Sequence, residues 1–315
     1  MTAVAASLND ADTDTDLTAT TTAASAASAA SAASAEDRIA VRHRSVGRPL
    51  LYGALALCAL LTLLPFYWVV SGSLRGLDEI RADPGAWVPQ HVTLDNFVRL
   101  FRTEGFGRFL TNSVLVALMV VIGNIVAASA AGYALAKLEF AGKRLAFGAV
   151  MAAMMVPFTT VFVTQFVITV DMGLADTLTG IALPGVALPL SVFIMRQYAQ
   201  SVPDELLEAA RIDGAGEVRI FFRVFLPLAG PAVATITIMS FLNSWNNFIW
   251  PLIVAQSTSS YTLPVGLAAT SQAAQHVTDY GLVLAGALVV MLPVLVLFLF
   301  LQRYFVQGIA GSGMR

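Results

Sequence analysis

Residues 281–301 read GLVLAGALVVMLPVLVLFLFL. This run carries no charged side chain and is long enough, as a helix, to cross ~30 Å of hydrocarbon. It does not alternate between polar and apolar residues, as a barrel strand must. In lipid every backbone polar group must be satisfied within the protein, so the run reads as a transmembrane helix. Five more stretches have the same character: 49–70, 109–136, 145–170, 178–195 and 224–255. None has Asp, Glu, Lys, Arg or His in its interior. The expected fold is therefore all-α, a polytopic membrane protein with six transmembrane helices. Composition agrees. The 315 residues are 57% hydrophobic and 12% charged, where a soluble domain is about 25% charged. Mean hydropathy is +0.75. A water-soluble core of this size could not hide so much apolar surface.

Basic residues give an expected orientation. Arg38, Arg42, Arg44 and Arg48 precede the first span. Lys137, Lys143 and Arg144 lie between the second and third. Arg196, Arg211, Arg219 and Arg223 lie between the fourth and fifth, and Arg303 and Arg315 follow the sixth. The opposite loops at 171–177 and 256–280 have no Lys or Arg, and the remaining one, between the first and second spans, has Arg75, Arg81, Arg99, Arg102 and Arg108. The positive-inside bias puts both termini in the cytoplasm of a cell-membrane protein. The segment 71–107, with Trp87, Phe97, Phe101 and Phe106, is expected to lie along the interface as short helices. Residues 1–45 form a separate tail. Its Ala, Ser, Thr and Asp repeats cannot bury enough surface to offset ordering entropy, so it reads as disordered. It has no apolar core of the kind that makes a secretory signal. Residues 46–315 form the membrane domain.

Several chemistries find no residues to carry them. Cys58, the single cysteine, sits in an apolar run and reads as a packed thiol. His43, His91 and His276 are far apart and outside the spans, so no metal centre is expected. No Ser-His-Asp or paired-carboxylate arrangement stands out, and no catalytic residue is assigned. Nucleic acid is not an expected partner, because there is no basic patch. Proton-coupled transport needs a titratable side chain in the membrane, and none is present. Sodium coupling through carbonyls and hydroxyls stays open. No G-x-x-x-x-G-K-[ST] phosphate loop occurs. If transport is driven by ATP, the energy must enter from another subunit.

The segment that could receive it is 201–227, SVPDELLEAARIDGAGEVRIFFRVFLP. Ser201 with Asp204 resembles a capping box. Asp204 and Glu205 suit a helix N-terminus, and Gly214 suits a turn with positive φ. A helix, a glycine turn and a second amphipathic helix follow. This could be an interfacial hairpin or a docking element. Glu208-Ala209-Ala210, then Gly214, then Val224 and Leu226-Pro227, resembles the EAA signature of binding-protein-dependent ABC importer permeases. Val224 stands where isoleucine is usual. LPFYWVVSGSLR (64–75), TLDNFVRLF (93–101), FLTNSVLVA (109–117), WNNFIWPLI (245–253) and YFVQG (304–308) are similar to the carbohydrate-uptake branch, the maltose-permease type.

That resemblance implies a type I importer permease whose loop 201–223 is the cytoplasmic coupling element. Glu208, Ala209, Ala210, Asp213, Gly214, Leu226 and Pro227 would make it up. Glu208 would be a polar contact and Gly214 the turn, while small Ala209 and Ala210 would let an ATPase subunit approach. The same alanines also fit plain helix propensity. The implied partners are a second, different permease, two copies of an ABC ATPase and an extracytoplasmic solute-binding protein. Lipid surrounds the bundle. The chain needs no cofactor of its own, since ATP would bind the partner. Asn243, Trp245, Asn246 and Asn247 could offer amides and an aromatic face to a sugar, or could bond helices together. Thr164 and Gln165 are a second candidate group, and such threonines often bond their own backbone. An anionic solute would favour an arginine in the pathway, so a neutral sugar or polyol is expected. A different solute or an ion-coupled carrier is the alternative.

Overall fold

The computed structural model describes residues 49–273 and 279–312. The tail expected over 1–45, with His43, and also His276, lie outside the described residues. The chain divides into two units, 1–67 and 68–315. In the first, the described residues form most of α1 (Pro49–Ser73). This helix is apolar on every side, which suits lipid. Within it the Thr62 hydroxyl donates to the Cys58 carbonyl at 2.7 Å, so the free Cys58 shares a turn with a self-satisfied threonine.

In the second unit, the short helices α2 (Leu77–Ala82) and α3 (Asp95–Arg102) lead into α4 (Phe106–Lys137). Then come α5 (Lys143–Met155), α6 (Phe158–Asp171), α7 (Leu178–Ala182) with a tight turn to Gly185, and α8 (Pro189–Ser201). The hairpin helix α9 (Asp204–Ile212) is followed by α10 (Glu217–Ile220), a π turn (Phe221–Phe225), α11 (Leu226–Leu228) and α12 (Gly230–Trp245). The chain ends with α13 (Ile249–Val254), α14 (Leu263–Ala273) and α15 (Tyr280–Ser312). Among the described residues there are no β-strands beyond one isolated bridge, Arg75 to Val92. α4 supplies buried residues to all three apolar cores. Tyr133 packs with α8 and the hairpin, Phe109 with α14 and α15, and Val120 with α7 and α13. It is the unbroken spine of this unit.

The expected third, fourth and fifth spans are not straight. α5 and α6 meet at 102°, the α7 and α8 segments at 45°, and Glu217–Leu228 meets Gly230–Trp245 at 77°. A proline lies at each break. Pro157 lacks an N–H and forces Val156 into an extended conformation (ψ 117°). Pro184 and Pro189 flank the second break, and Pro227 and Pro231 the third. The fourth segment runs on to Ser201, beyond the expected 195, and the fifth ends at Trp245 rather than 255. With each bent pair counted as one crossing, up to six spans result.

The 71–107 segment does contain short helices, and one buried cation organises it. Arg75 is 2% exposed and donates to Glu79 Oε1 at 3.0 Å and to the Ala86 and Asp83 carbonyls. Glu79 also accepts the Gln90 and His91 amides. The Gln90 amide bond, followed by Arg75, holds its carboxyl below the usual carboxylate range. Asn96 Nδ2 then donates to the Ser73 and Arg75 carbonyls, which fastens α3 to the end of α1's last turn. In the sequence Arg75 counts only as one loop charge. Arg75→Met leaves the Glu79 carboxylate and the Glu79, Asp83 and Ala86 carbonyls without this donor, which loosens the segment. The expected result is at least about tenfold faster proteolysis of the 75–93 segment in membrane vesicles, with α4 and the later helices intact.

Candidate functional site

Two features stand out: an exposed helical hairpin at one end of α4, and a cavity among the helix breaks.

The hairpin begins at α9, whose N-terminus has no side-chain cap. The expected Ser201–Asp204 box does not form. Ser201 belongs to the last turn of α8, where its hydroxyl donates to the Tyr198 carbonyl at 2.7 Å. Val202 and Pro203 are extended. The Asp204 carboxylate instead accepts Lys137 Nζ at 2.6 Å, and the same ammonium donates to the Val202 carbonyl at 2.6 Å. This pairing with Lys137 holds the Asp204 carboxyl below its ordinary value. The turn is as the sequence implied: Gly214 has φ 79°. The Ala215 amide donates to Ala210 O and the Gly214 amide to Arg211 O, a glycine-terminated helix end. Past the turn, Glu217 accepts Arg211 Nε at 2.7 Å and the Tyr133 hydroxyl at 2.9 Å.

One face of the hairpin is buried. Leu207, Ile220 and Phe225 are no more than 1% exposed and pack with Tyr133 and Met195. Tyr133 lies edge-on to Phe221 and against Phe225, with centroids at 5.4 and 4.8 Å. The other face holds Glu208, Ala209, Asp213 and Gly214, all exposed, beside Ile212 at 86% and Val218 at 73% exposure. Ala210 and Leu226 turn partly into the core, and Pro227 is exposed at the 77° bend. So the seven residues divide into a display face and a supporting one. Sequence reasoning missed the struts Lys137, Tyr133 and Glu217. A signal existed: Lys137 ends a long apolar run just where a charge must find a partner.

The cavity has a volume of about 1190 Å³, above the usual ~300–1,000 Å³ of a small-molecule site. Its walls come from Val116 and Val120 of α4, residues between Phe158 and Ile168 of α6, the break at 184–189, Asn243 and Ser244 at the end of α12, and 246–251 leading into α13. Thr164, Gln165, Asn243, Asn246 and Asn247 all line it, so the two candidate groups share one cavity. Gln165 Oε1 and Ser244 Oγ are buried and have no hydrogen-bond partner among the described residues. Asn247 Oδ1 accepts the Trp250 amide at 3.4 Å. Trp250 is held by its indole N–H to Gly180 O at 3.2 Å and edge-on against Phe162. Among the described residues, none that lines it is ionisable. Such a surface offers amides and hydroxyls among apolar groups to a neutral polyhydroxylated molecule.

Trp245 is the exception among the residues of that group. It does not line the cavity. It is 2% exposed, stacks on Phe241 with centroids 5.2 Å apart, and donates its indole N–H to Val290 O at 2.9 Å. Its neighbours Asn246 and Asn247 fall in the break after α12, so the chain turns between them. Trp245 faces α15 while the asparagines face the cavity.

Comparisons with known proteins complete the picture. The arabinooligosaccharides transport system permease protein of Halalkalibacterium halodurans is 36% identical, covering 82% of this chain and 94% of its own length. The trehalose transport system permease protein of Mycobacterium tuberculosis is 33% identical, covering 80% and 92%. The crystal structure of a bacterial ABC transporter that imports the acidic polysaccharide alginate contains a chain of the same fold. It matches with a TM-score of 0.71 at 24% identity, over 84% of this chain and 97% of that one. Residues 123–311 match the family model for the binding-protein-dependent transport system inner membrane component. With that match over more than half its length, and with a type I importer permease fold, the chain belongs to the family of binding-protein-dependent transport system inner membrane components.

Proposed function

We propose that this chain forms one half of the translocation pathway of an ATP-driven importer for a neutral sugar or sugar oligomer. One observation carries the substrate class: the cavity of about 1190 Å³ is lined by amides, hydroxyls and apolar groups and has no charge. The relatives named for arabinooligosaccharides and trehalose support the same class. A second, different permease closes the cavity from the other side. A solute-binding protein delivers the solute at the outer face. The exposed face Glu208, Ala209, Asp213 and Gly214 docks on one of two ATPase subunits, which bind the ATP. Both termini and the hairpin lie in the cytoplasm, in keeping with the distribution of Lys and Arg.

The work of this chain is conformational. ATP-driven closure of the ATPase pair moves the hairpin, and the cavity changes which side it opens to. Gln165, Asn243, Asn246 and Asn247 hold the solute by replacing water hydrogen bonds, with no covalent step. The experiment is to tag the chain, solubilise membranes gently and identify by mass spectrometry what co-purifies, then reconstitute that complex. Recovery of an ABC ATPase and a second permease, with ATP-dependent uptake of labelled neutral oligosaccharides in preference to glycerol phosphate or amino acids, is the expected result. A chain that purifies alone and moves solute without ATP would overturn the reading. Preference for glycerol phosphate would overturn the substrate class alone.

A further inference from the structure

We infer that Asn124 is the positioning residue through which α4 holds the broken α7–α8 wall of the cavity and carries hairpin motion to it. The inference rests on the importer reading above. The break at 186–188 interrupts the helical ladder between Pro184 and Pro189. In a membrane, the backbone groups freed by such a break need partners from the protein. Asn124 supplies them. It is fully buried at 0% exposure. Its Nδ2 donates to the Gly185 carbonyl and, at 3.1 Å, to Val120 O of its own helix, while its Oδ1 accepts the Leu188 amide at 2.9 Å. One carboxamide thus grips both sides of the break.

Steric contact makes the grip tight. A Cβ on Gly123 would lie 2.7 Å from Val186 Cβ and 3.1 Å from Val186 O, and one on Gly185 would lie 3.0 Å from Val120 Cγ2. The break therefore rests directly on α4 without room to slide. Gly185 and Leu188 line the cavity, so their position sets its shape. The same helix α4 is tied to the hairpin by Tyr133–Glu217 and Lys137–Asp204. No break in α4 separates these struts from Asn124. Displacement of the hairpin is passed along a rigid helix and delivered to the cavity wall by one buried side chain that does not itself line the cavity.

The test uses the full reconstituted importer and measures three quantities: assembled complex, binding-protein-stimulated ATP hydrolysis, and solute import. Asn124→Leu keeps the branched outline, is somewhat bulkier, and removes the donors and the acceptor. The expected result is a normal yield of complex, ATP hydrolysis within about threefold of wild type, and import per ATP lower by about tenfold. Asn124→Asp restores most of the coupling, because a neutral carboxyl buried there offers one donor for the Gly185 carbonyl and one acceptor for the Leu188 amide, and gives up only the bond within α4 to Val120 O. If Asn124→Leu does not assemble, Asn124→Ala, which leaves space rather than an apolar clash, is measured in the same way. Unchanged import per ATP in the non-bonding variant would overturn the assignment. So would a parallel fall of hydrolysis, import and complex yield that Asn124→Asp does not rescue. A wild-type complex whose import ignores ATP would overturn the importer reading itself, and is distinguished because it needs no variant.

Discussion

Gly214→Asp is expected to reduce ATP-driven uptake by about 100-fold, while the chain still inserts, folds and pairs with its permease partner. The argument separates two costs. Gly214 has φ 79°, so any side chain there is strained. Asp tolerates the left-handed region better than most residues, and the strain is about 1 kcal/mol. A Cβ at this position meets nothing within 4 Å in the chain itself, so the fold has no steric reason to fail. What changes is the exposed tip of the hairpin, where a carboxylate would sit beside Asp213 on the face proposed to enter the ATPase. An unpaired charge buried in an interface costs about 2–5 kcal/mol, or one and a half to nearly four decades in affinity. Gly214→Asn separates the terms. It is nearly as strained but adds no charge, and it is expected to retain most uptake. Co-purified ATPase per permease, measured with uptake, checks both. Equal loss in the two variants would trace the defect to the backbone instead.

The hairpin was the most legible part of the molecule because its signals are local. Glycine at a positive-φ turn, acidic residues at a helix start and an apolar stripe all act within a few residues. The six apolar stretches were legible for the same reason: lipid demands length and the absence of charge. What the sequence did not disclose depends on contacts between distant residues. Whether Pro157 would kink a span slightly or turn it through 102° is decided by what packs on each side, not by the proline. Arg75 looks like a loop charge until Ala86, Asp83 and Glu79 are folded around it. Lys137 and Asp204 are far apart in the sequence, and Asp204 alone reads equally well as a helix cap. Asn124 lay inside an apolar span, where an amide passes as ordinary helix–helix glue, and only the break at 186–188 gives it a specific partner.

Trp245 and Asn247 show the same division in a form that can be measured. Both belong to one polar-aromatic cluster in the sequence, yet they point into different surroundings. Trp245→Ala is expected to destabilise the solubilised protein by about 3–5 kcal/mol, the usual cost of emptying a buried aromatic site. The Val290 carbonyl also loses the indole donor, in the turn of α15 that Pro293 loosens. For a chain of this size that is a fall in Tm of about 10 °C. The fraction that remains folded should bind and move solute with unchanged KM, because the indole faces α15. Trp245→Phe, which keeps the stacking on Phe241 but not the N–H, is expected to lose only about 1–2 kcal/mol. Asn247→Ala should do the reverse. Its side chain is partly exposed to the cavity and its one hydrogen bond, to the Trp250 amide, is long at 3.4 Å. Tm should therefore stay within a few degrees while KM rises by about tenfold, the effect of removing one solute-facing amide. If Trp245→Ala raised KM without lowering Tm, the indole would have to reach the solute in another conformation of the transport cycle. The assignment of Trp245 to the helix-packing core would then hold for one state only.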